Sequence, residues 1–173
     1  MKNRVRRLTA GAILAALALR LAQAGGMADM PGMSGGGSGG DRYGMPGRAS
    51  AVTRTVRITT LDTMRFTPSR IDVGPGQTVR FVIHNAGRVI HEFVIGDTAE
   101  QRAHEAEMAA HPDMTMDHDP NGVTVPAGQT RTLLWRFPRR AATLEYACHE
   151  PGHFAAGMVG YIHLRALAPQ AAR

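Results

Sequence analysis

The sequence predicts an all-β protein: a β-sandwich with a short helical, acidic insertion and a disordered N-terminal tether. From residue 51 onward, seven or eight short segments alternate apolar and polar side chains, as half-buried strands do. Turns rich in Gly and Pro separate these segments, for example at 74–76 and 126–128. The segments span roughly 120 residues, which is enough for one domain with its own core.

The first 24 residues have the composition of a signal peptide. Basic residues precede an apolar run from Leu8 to Leu19, which is too short to span a bilayer. Ala22-Gln-Ala24 has the form of a cleavage site. We therefore expect export, cleavage near Ala24 and no stable membrane insertion afterwards, with an uncleaved anchor as the alternative. Arg6-Arg7 leaves both the general secretory and the twin-arginine route open.

Without this leader the chain is close to neutral. The sequence has 20 basic and 14 acidic residues, a net charge of +6, and the leader holds five of the basic residues and no acidic one. The remainder has a net charge of +1 and carries no basic stripe with interleaved aromatic residues. We predict no binding to nucleic acid.

Residues 25–50 are Gly-rich and of low complexity. Such a segment buries too little apolar surface to offset its ordering entropy, so we expect a disordered tether. One domain over 51–166 and a tail over 167–173 follow it.

Within the domain, the strands follow from alternation. Apolar side chains lie on one face at Val56 and Ile58 in the first strand and at Val79, Phe81 and Ile83 in another. The predicted strands cover 53–61, 79–85, 91–95, 122–125, 130–137, 143–148 and 158–165, and 64–68 and 71–73 are predicted to be short extended pieces.

An insertion interrupts these strands, and its segment 99–110 is rich in helix formers. From Asp97 to Asp119 there are seven acidic residues, one arginine, three histidines and three methionines. This segment is either a solvated acidic insertion or a second, weaker metal-recruiting surface. Carboxylates attract cations, and His and Met bind copper, so both interpretations stay open.

The loop from Cys148 to Met158 carries the clearest chemistry. It has the only cysteine of the chain, then His153, then Met158, in a C-x4-H-x4-M pattern. Two His, one Cys and a weak axial Met form the blue-copper electron-transfer site. Turn formers at Pro151-Gly152 and Gly157 let the loop curl around one centre. A buried, inert cysteine is the less favoured alternative, and structural zinc is disfavoured because no second cysteine exists.

The loop supplies three ligands, and a second histidine has to come from elsewhere. His91 is best placed, because it begins a strand at the end of the sandwich where a loop ligand could meet it. His84 lies inside a strand and His163 alternates outward. His149 follows Cys148 directly, so in an extended chain their side chains diverge. Phe154, Ala155, Ala156 and Val159 are expected to supply an apolar surrounding.

These features together resemble the cupredoxins, the plastocyanin and azurin superfamily, over Ala51 to Leu164. The matching motifs are Met64-Arg-Phe-Thr-Pro68, Ile71-x-Val73, Gly76-x-Thr-Val79-x-Phe81, Asn85-x-Gly87, His91 and Cys148-x4-His153-x4-Met158. The resemblance implies a Greek-key β-sandwich with one type 1 copper, bound by His91, Cys148, His153 and Met158.

The insertion adds a resemblance to a subgroup, the periplasmic cupredoxins associated with bacterial copper tolerance. In two respects the chain departs from plastocyanin and azurin. Glu92 stands where these proteins have an Asn that helps to tie the two ligand loops together. The four-and-four ligand spacing is similar to that of type 1 sites in multicopper oxidases and nitrite reductases.

The expected function is therefore that of a periplasmic, redox-active type 1 copper protein in copper tolerance. The alternative is a dedicated electron carrier between periplasmic redox partners. Copper tolerance is favoured if the methionines of the tether and the His and Met residues of the insertion form accessory copper sites. The tether methionines are Met27, Met30, Met33 and Met45. The alternative is that the tether is an uninformative linker. An enzyme is not expected, because the His-x-His pairs of multicopper oxidases do not occur.

Overall fold

The computed structural model describes residues 42–113 and 119–165, and the structural statements below refer to these residues. A one-turn 3-10 helix (Ala49–Ala51) precedes the second strand. The regular elements are β1 (Met45–Pro46), β2 (Val52–Leu61), β3 (Arg65–Thr67), β4 (Arg70–Val73), β5 (Thr78–Asn85), β6 (His91–Gly96), α1 (Thr98–Ala110), β7 (Gly122–Val125), β8 (Thr130–Arg136), β9 (Ala142–Ala147) and β10 (Val159–Leu164).

These strands form two five-stranded sheets. One has the order β1-β8-β5-β2-β3 and the other β4-β10-β9-β6-β7. The pairs β2–β5 and β4–β10 are parallel, whereas the other pairs are antiparallel. Because the chain passes repeatedly from one sheet to the other, the structure confirms the predicted Greek-key β-sandwich with one short helix.

The core lies between the sheets. The inward faces of β2 and β5 are buried, as their alternation predicts. Phe93 of β6 is fully buried at the centre, with ring centroids 6.0 Å from Phe66, 5.3 Å from Phe81 and 5.1 Å from Tyr146. These aromatic contacts join both sheets next to the end of the sandwich at which His91 lies.

Residues 42–50, which the composition assigns to the tether, lie against the sandwich. Strand β1 pairs with β8, and the Tyr43 ring stacks on Trp135 with centroids 6.1 Å apart. The indole N–H of Trp135 donates to the Tyr43 carbonyl at 2.9 Å. Composition hides this contact, because one aromatic residue in a Gly-rich segment produces no periodic pattern.

Helix α1 confirms the helix predicted over 99–110. Asp97 caps it, since its carboxylate accepts the Glu100 N–H at 3.0 Å. Gln101, His104 and Met108 are buried on one face, so α1 is a packed element against β6 and β9. Met114, Met116 and His118 lie outside the described residues. In the described ranges, no helix has the length and apolar character needed to cross a membrane.

Three strand ends meet where the metal site is predicted. Strand β9 lies between β10 and β6. Its last residue, Ala147, is opposite Val159 of β10 and Val94 of β6. Three residues therefore lie at the same end of the sheet: His91 at the start of β6, Cys148 directly after β9 and Met158 directly before β10.

Asn85 pins the loop that leads to His91. Its side chain is completely buried, and the amide N–H groups donate to the carbonyls of Val89 and Val125, both at 2.8 Å. The amide oxygen accepts the Gly87 N–H at 2.9 Å. One side chain thus holds both ends of the loop and the end of β7.

We predict that Asn85→Ala destabilises the copper-free protein by about 1–3 kcal/mol, because buried backbone groups lose their partners. Chemical denaturation measures this free energy of unfolding. The matched control is the exposed neighbour His84→Ala, for which we expect a change within about 0.5 kcal/mol. Equal stability of the Asn85 variant and the wild type would contradict the role of this loop anchor.

Candidate metal centre

His91, Cys148 and His153 lie together at the end of the sandwich. Their potential ligand atoms are all within 4.8 Å of one another. Cys148 Sγ is 3.2 Å from His153 Nδ1 and 3.9 Å from His91 Nδ1. The two imidazole rings have centroids 5.0 Å apart. The structure thus brings three of the four predicted ligands together, although they come from two separate parts of the chain.

The loop between Cys148 and Met158 curls as its turn formers predict. Gly152 and Gly157 both have φ of +84°, a left-handed conformation that favours glycine. The Met158 N–H donates to the His153 carbonyl at 3.1 Å, and the Met158 carbonyl accepts the Cys148 N–H at 3.2 Å. Met158 is completely buried, so the fourth predicted ligand closes the loop next to Cys148.

The Cys148 thiol is shielded from water. Its side chain is completely buried, and the backbone N–H of Glu92 points at Sγ from 3.2 Å. Burial raises the pKa of this thiol to about 12, although the N–H groups of Glu92 and Glu150 act in the opposite direction. Without a metal the cysteine is therefore a protonated thiol at neutral pH.

The surroundings of both histidines of the group favour the neutral form, which is the form that binds metals. Burial lowers the pKa of His91, and the neighbouring His153 lowers it further. Burial likewise lowers the pKa of His153. His91 Nε2 is buried without a hydrogen-bond partner among the described residues and lies 3.7 Å from Asp62 Oδ1. Nδ1 is thus the nitrogen that faces Cys148.

Glu92 ties the two ligand segments together. Besides its N–H contact with Sγ, its carboxylate Oε2 accepts the backbone N–H of His149 at 3.3 Å. The side chain is fully buried. A carboxylate here makes the connection between the loops that an Asn makes in plastocyanin and azurin, so this departure does not leave the loops unlinked.

The other described histidines stay outside the group. His149 Nδ1 lies 2.7 Å from Glu105 and Nε2 lies 2.7 Å from Gln101, so its ring turns toward helix α1. His84 is exposed, His163 bonds Thr143 across the sheet, and His104 is buried on α1.

The surroundings differ from the predicted apolar shell. Ala155 and Ala156 are exposed, and Phe154 stacks on His149 with centroids 4.7 Å apart. Phe154 therefore packs toward α1, and Met158 supplies the buried apolar contact of the loop.

Two anchors of the site were missed in the sequence. The Asp62 carboxylate accepts the Arg88 N–H at 2.9 Å, and the Arg65 guanidinium donates to the Ala156 carbonyl at 3.0 Å. Each partner is far away in the chain, by 26 and 91 positions. No local sequence pattern predicts contacts between residues so far apart in the chain, so they are seen only in the folded structure.

The sequence profile for copper binding proteins of the plastocyanin/azurin family matches residues 52–165. The copper-resistant cuproprotein CopI of Rubrivivax gelatinosus is 51% identical over 123 residues, which cover 71% of this chain and 73% of the relative. CopI of Pseudomonas aeruginosa is 36% identical over 151 residues, covering 71% and 82%.

Solved structures agree with the fold. Reduced auracyanin of Roseiflexus castenholzii has a TM-score of 0.59 at 19% identity and covers 66% of this chain and 99% of that one. Auracyanin B has a TM-score of 0.60 at 21% identity, with 73% and 99% covered. A cysteine sulfur and two imidazoles are donors that suit copper, and copper is the cofactor of the matching family. Since the profile match extends over almost the whole described domain, the chain belongs to the plastocyanin/azurin family of copper binding proteins.

Proposed function

We propose that the chain is a periplasmic type 1 copper protein that takes part in copper tolerance. His91, Cys148, His153 and Met158 are the proposed ligands of its copper. The observation that carries this proposal is the convergence of two imidazoles and one buried thiol within 4.8 Å. Met158 is buried, and its backbone is hydrogen-bonded to Cys148 and His153. Sulfur and imidazole donors together select copper over harder metals.

The chain's own residues supply the rigidity that electron transfer needs. The Glu92 N–H and the loop hydrogen bonds hold Cys148, while Asn85 holds the segment before His91. Copper supplies one-electron transfer when bound, and little rearrangement is needed if its ligands are fixed beforehand. The partly exposed His153 is the proposed route for the electron to the surface.

Copper tolerance is favoured over a dedicated electron carrier by two observations. The relatives with 51% and 36% identity are both named copper-resistant cuproproteins. Additional Met and His residues in the tether and the insertion would be superfluous in a pure carrier. The carrier alternative is supported by the exposed side chains of Val89 and Ile90 directly before His91, which a redox partner could contact. Catalysis is not part of the proposal.

Copper tolerance is tested by expressing the full chain in a copper-sensitive Gram-negative host. We expect the wild type to raise the copper concentration that permits growth, because bound copper is withdrawn from harmful reactions. Cys148→Ser should give no protection at an equal periplasmic level, and His84→Ala should protect like the wild type. Equal protection by Cys148→Ser and the wild type would contradict the proposal. If the wild type also gives no protection, the electron-carrier alternative is favoured.

Copper binding to Cys148 is expected to release a proton. At pH 7 the first equivalent of Cu(II) should release about one proton per chain, because copper displaces the thiol proton of Cys148. His91 and His153 contribute little, since burial lowers the pKa of each from the usual 6.5 and both are mostly neutral at pH 7. Copper affinity should therefore rise about tenfold per pH unit from neutral pH upward.

Calorimetry in buffers of different ionisation enthalpy measures this release, with Cys148→Ser as the control that lacks the thiol. Copper binding by the wild type without proton release would show that the Cys148 thiol is not a ligand.

A further inference from the structure

Glu92 has a buried carboxylate oxygen that the copper group does not use. Its side chain is fully buried, and Oε2 accepts the His149 N–H. Oε1, however, has no hydrogen-bond partner in residues 42–113 and 119–165. Leaving a buried carboxylate oxygen unpaired is costly, so this atom needs an explanation.

Helix α1 places a second buried atom without a hydrogen bond near this carboxylate. His104 has a side chain that is 7% exposed, and its Nε2 lies 3.9 Å from Glu92 Oε2. This nitrogen also lacks a hydrogen-bond partner within the described part of the chain. The separation is too long for a hydrogen bond. Two atoms that each bind one first-row metal ion at about 2.0–2.2 Å can lie up to about 4.3 Å apart, so the separation fits a shared ion.

Met108 places a sulfur on the same face of the helix. It lies one turn after His104, and residues four apart are neighbours on a helix. Met108 is 2% exposed and lines a cavity of about 240 Å³ between α1 and the ligand loop, together with Glu105, His149 and Pro151. This cavity meets the face of the helix at Met108.

The surrounding charge is negative. Burial lowers the pKa of His104, but the carboxylates of Glu92, Asp119 and Glu107 outweigh burial and raise it. A concentration of carboxylates in a partly enclosed region attracts cations.

We propose that Glu92, His104 and Met108 bind a second copper ion beside the His91–Cys148–His153 group. Imidazole and thioether ligands favour copper, whereas zinc sites are built from Cys, His and carboxylates. His149 takes no part, because Glu105 and Gln101 occupy both its ring nitrogens. The inference stands on these contacts and does not depend on the function of the first site.

The test counts copper in the full-length protein at a fixed free Cu(I) concentration, set by a chromophoric chelator. His104→Gln keeps a hydrogen-bonding side chain beside Glu92 but removes the imidazole. Met108→Leu keeps the volume but removes the sulfur. His84→Ala is the matched control. We expect wild type and control to bind one copper per chain more than His104→Gln, and Met108→Leu to bind this copper at least tenfold more weakly.

The visible absorption of the reoxidised samples reports the first site separately. We expect its band in all four proteins, which also shows that the variants are folded. Copper content in His104→Gln equal to that of the wild type would overturn the proposal, and a shifted band at unchanged copper content would assign His104 a positioning role instead. If the band is absent from every protein but the extra copper persists, the second site stands and the first-site assignment fails.

Discussion

The hydrogen bond from the backbone N–H of Glu92 to Cys148 Sγ joins the two segments that carry the proposed copper ligands His91 and Cys148. It holds the thiol directly after β9, where His91 Nδ1, at the start of β6, lies 3.9 Å from Sγ. The same packing excludes water and holds the pKa of the thiol at about 12. Cys148 is consequently unreactive as a free thiol and becomes a thiolate when a metal replaces its proton. This explains how a lone cysteine persists in a chain that we expect to be exported.

Glu92 and helix α1 are connected features of this protein. A buried carboxylate has to be compensated, whereas the amide found at this place in plastocyanin and azurin carries no charge. Helix α1 supplies His104 within 3.9 Å of this carboxylate and Gln101 and Glu105 to hold His149. The insertion between β6 and β7 therefore packs directly behind the segments that carry the proposed ligands and lies against the carboxylate that replaces the amide.

Sequence reasoning succeeded where a short pattern determines the structure. Alternation and short apolar runs located β2 to β10, whereas β1 lies in the segment that composition assigns to the tether. The turn formers predicted a loop that brings Cys148 and His153 together. It was less informative where contacts are distant in the chain. The stacking of Tyr43 on Trp135 spans 92 positions, and the inward turn of His104 depends on which helix face the sheet covers. Asn85-x-Gly87 is a motif in the sequence, but the role of Asn85 as a loop anchor follows only from its three hydrogen bonds.

The central claim is that one copper ion is bound jointly by the thiolate of Cys148 and the imidazoles of His91 and His153. Visible absorption of the Cu(II)-loaded protein tests it most directly, because a copper–thiolate bond gives an intense charge-transfer band. We expect this band in the wild type and in His84→Ala, and its loss in Cys148→Ser. A wild-type protein that binds Cu(II) and remains colourless would contradict the account.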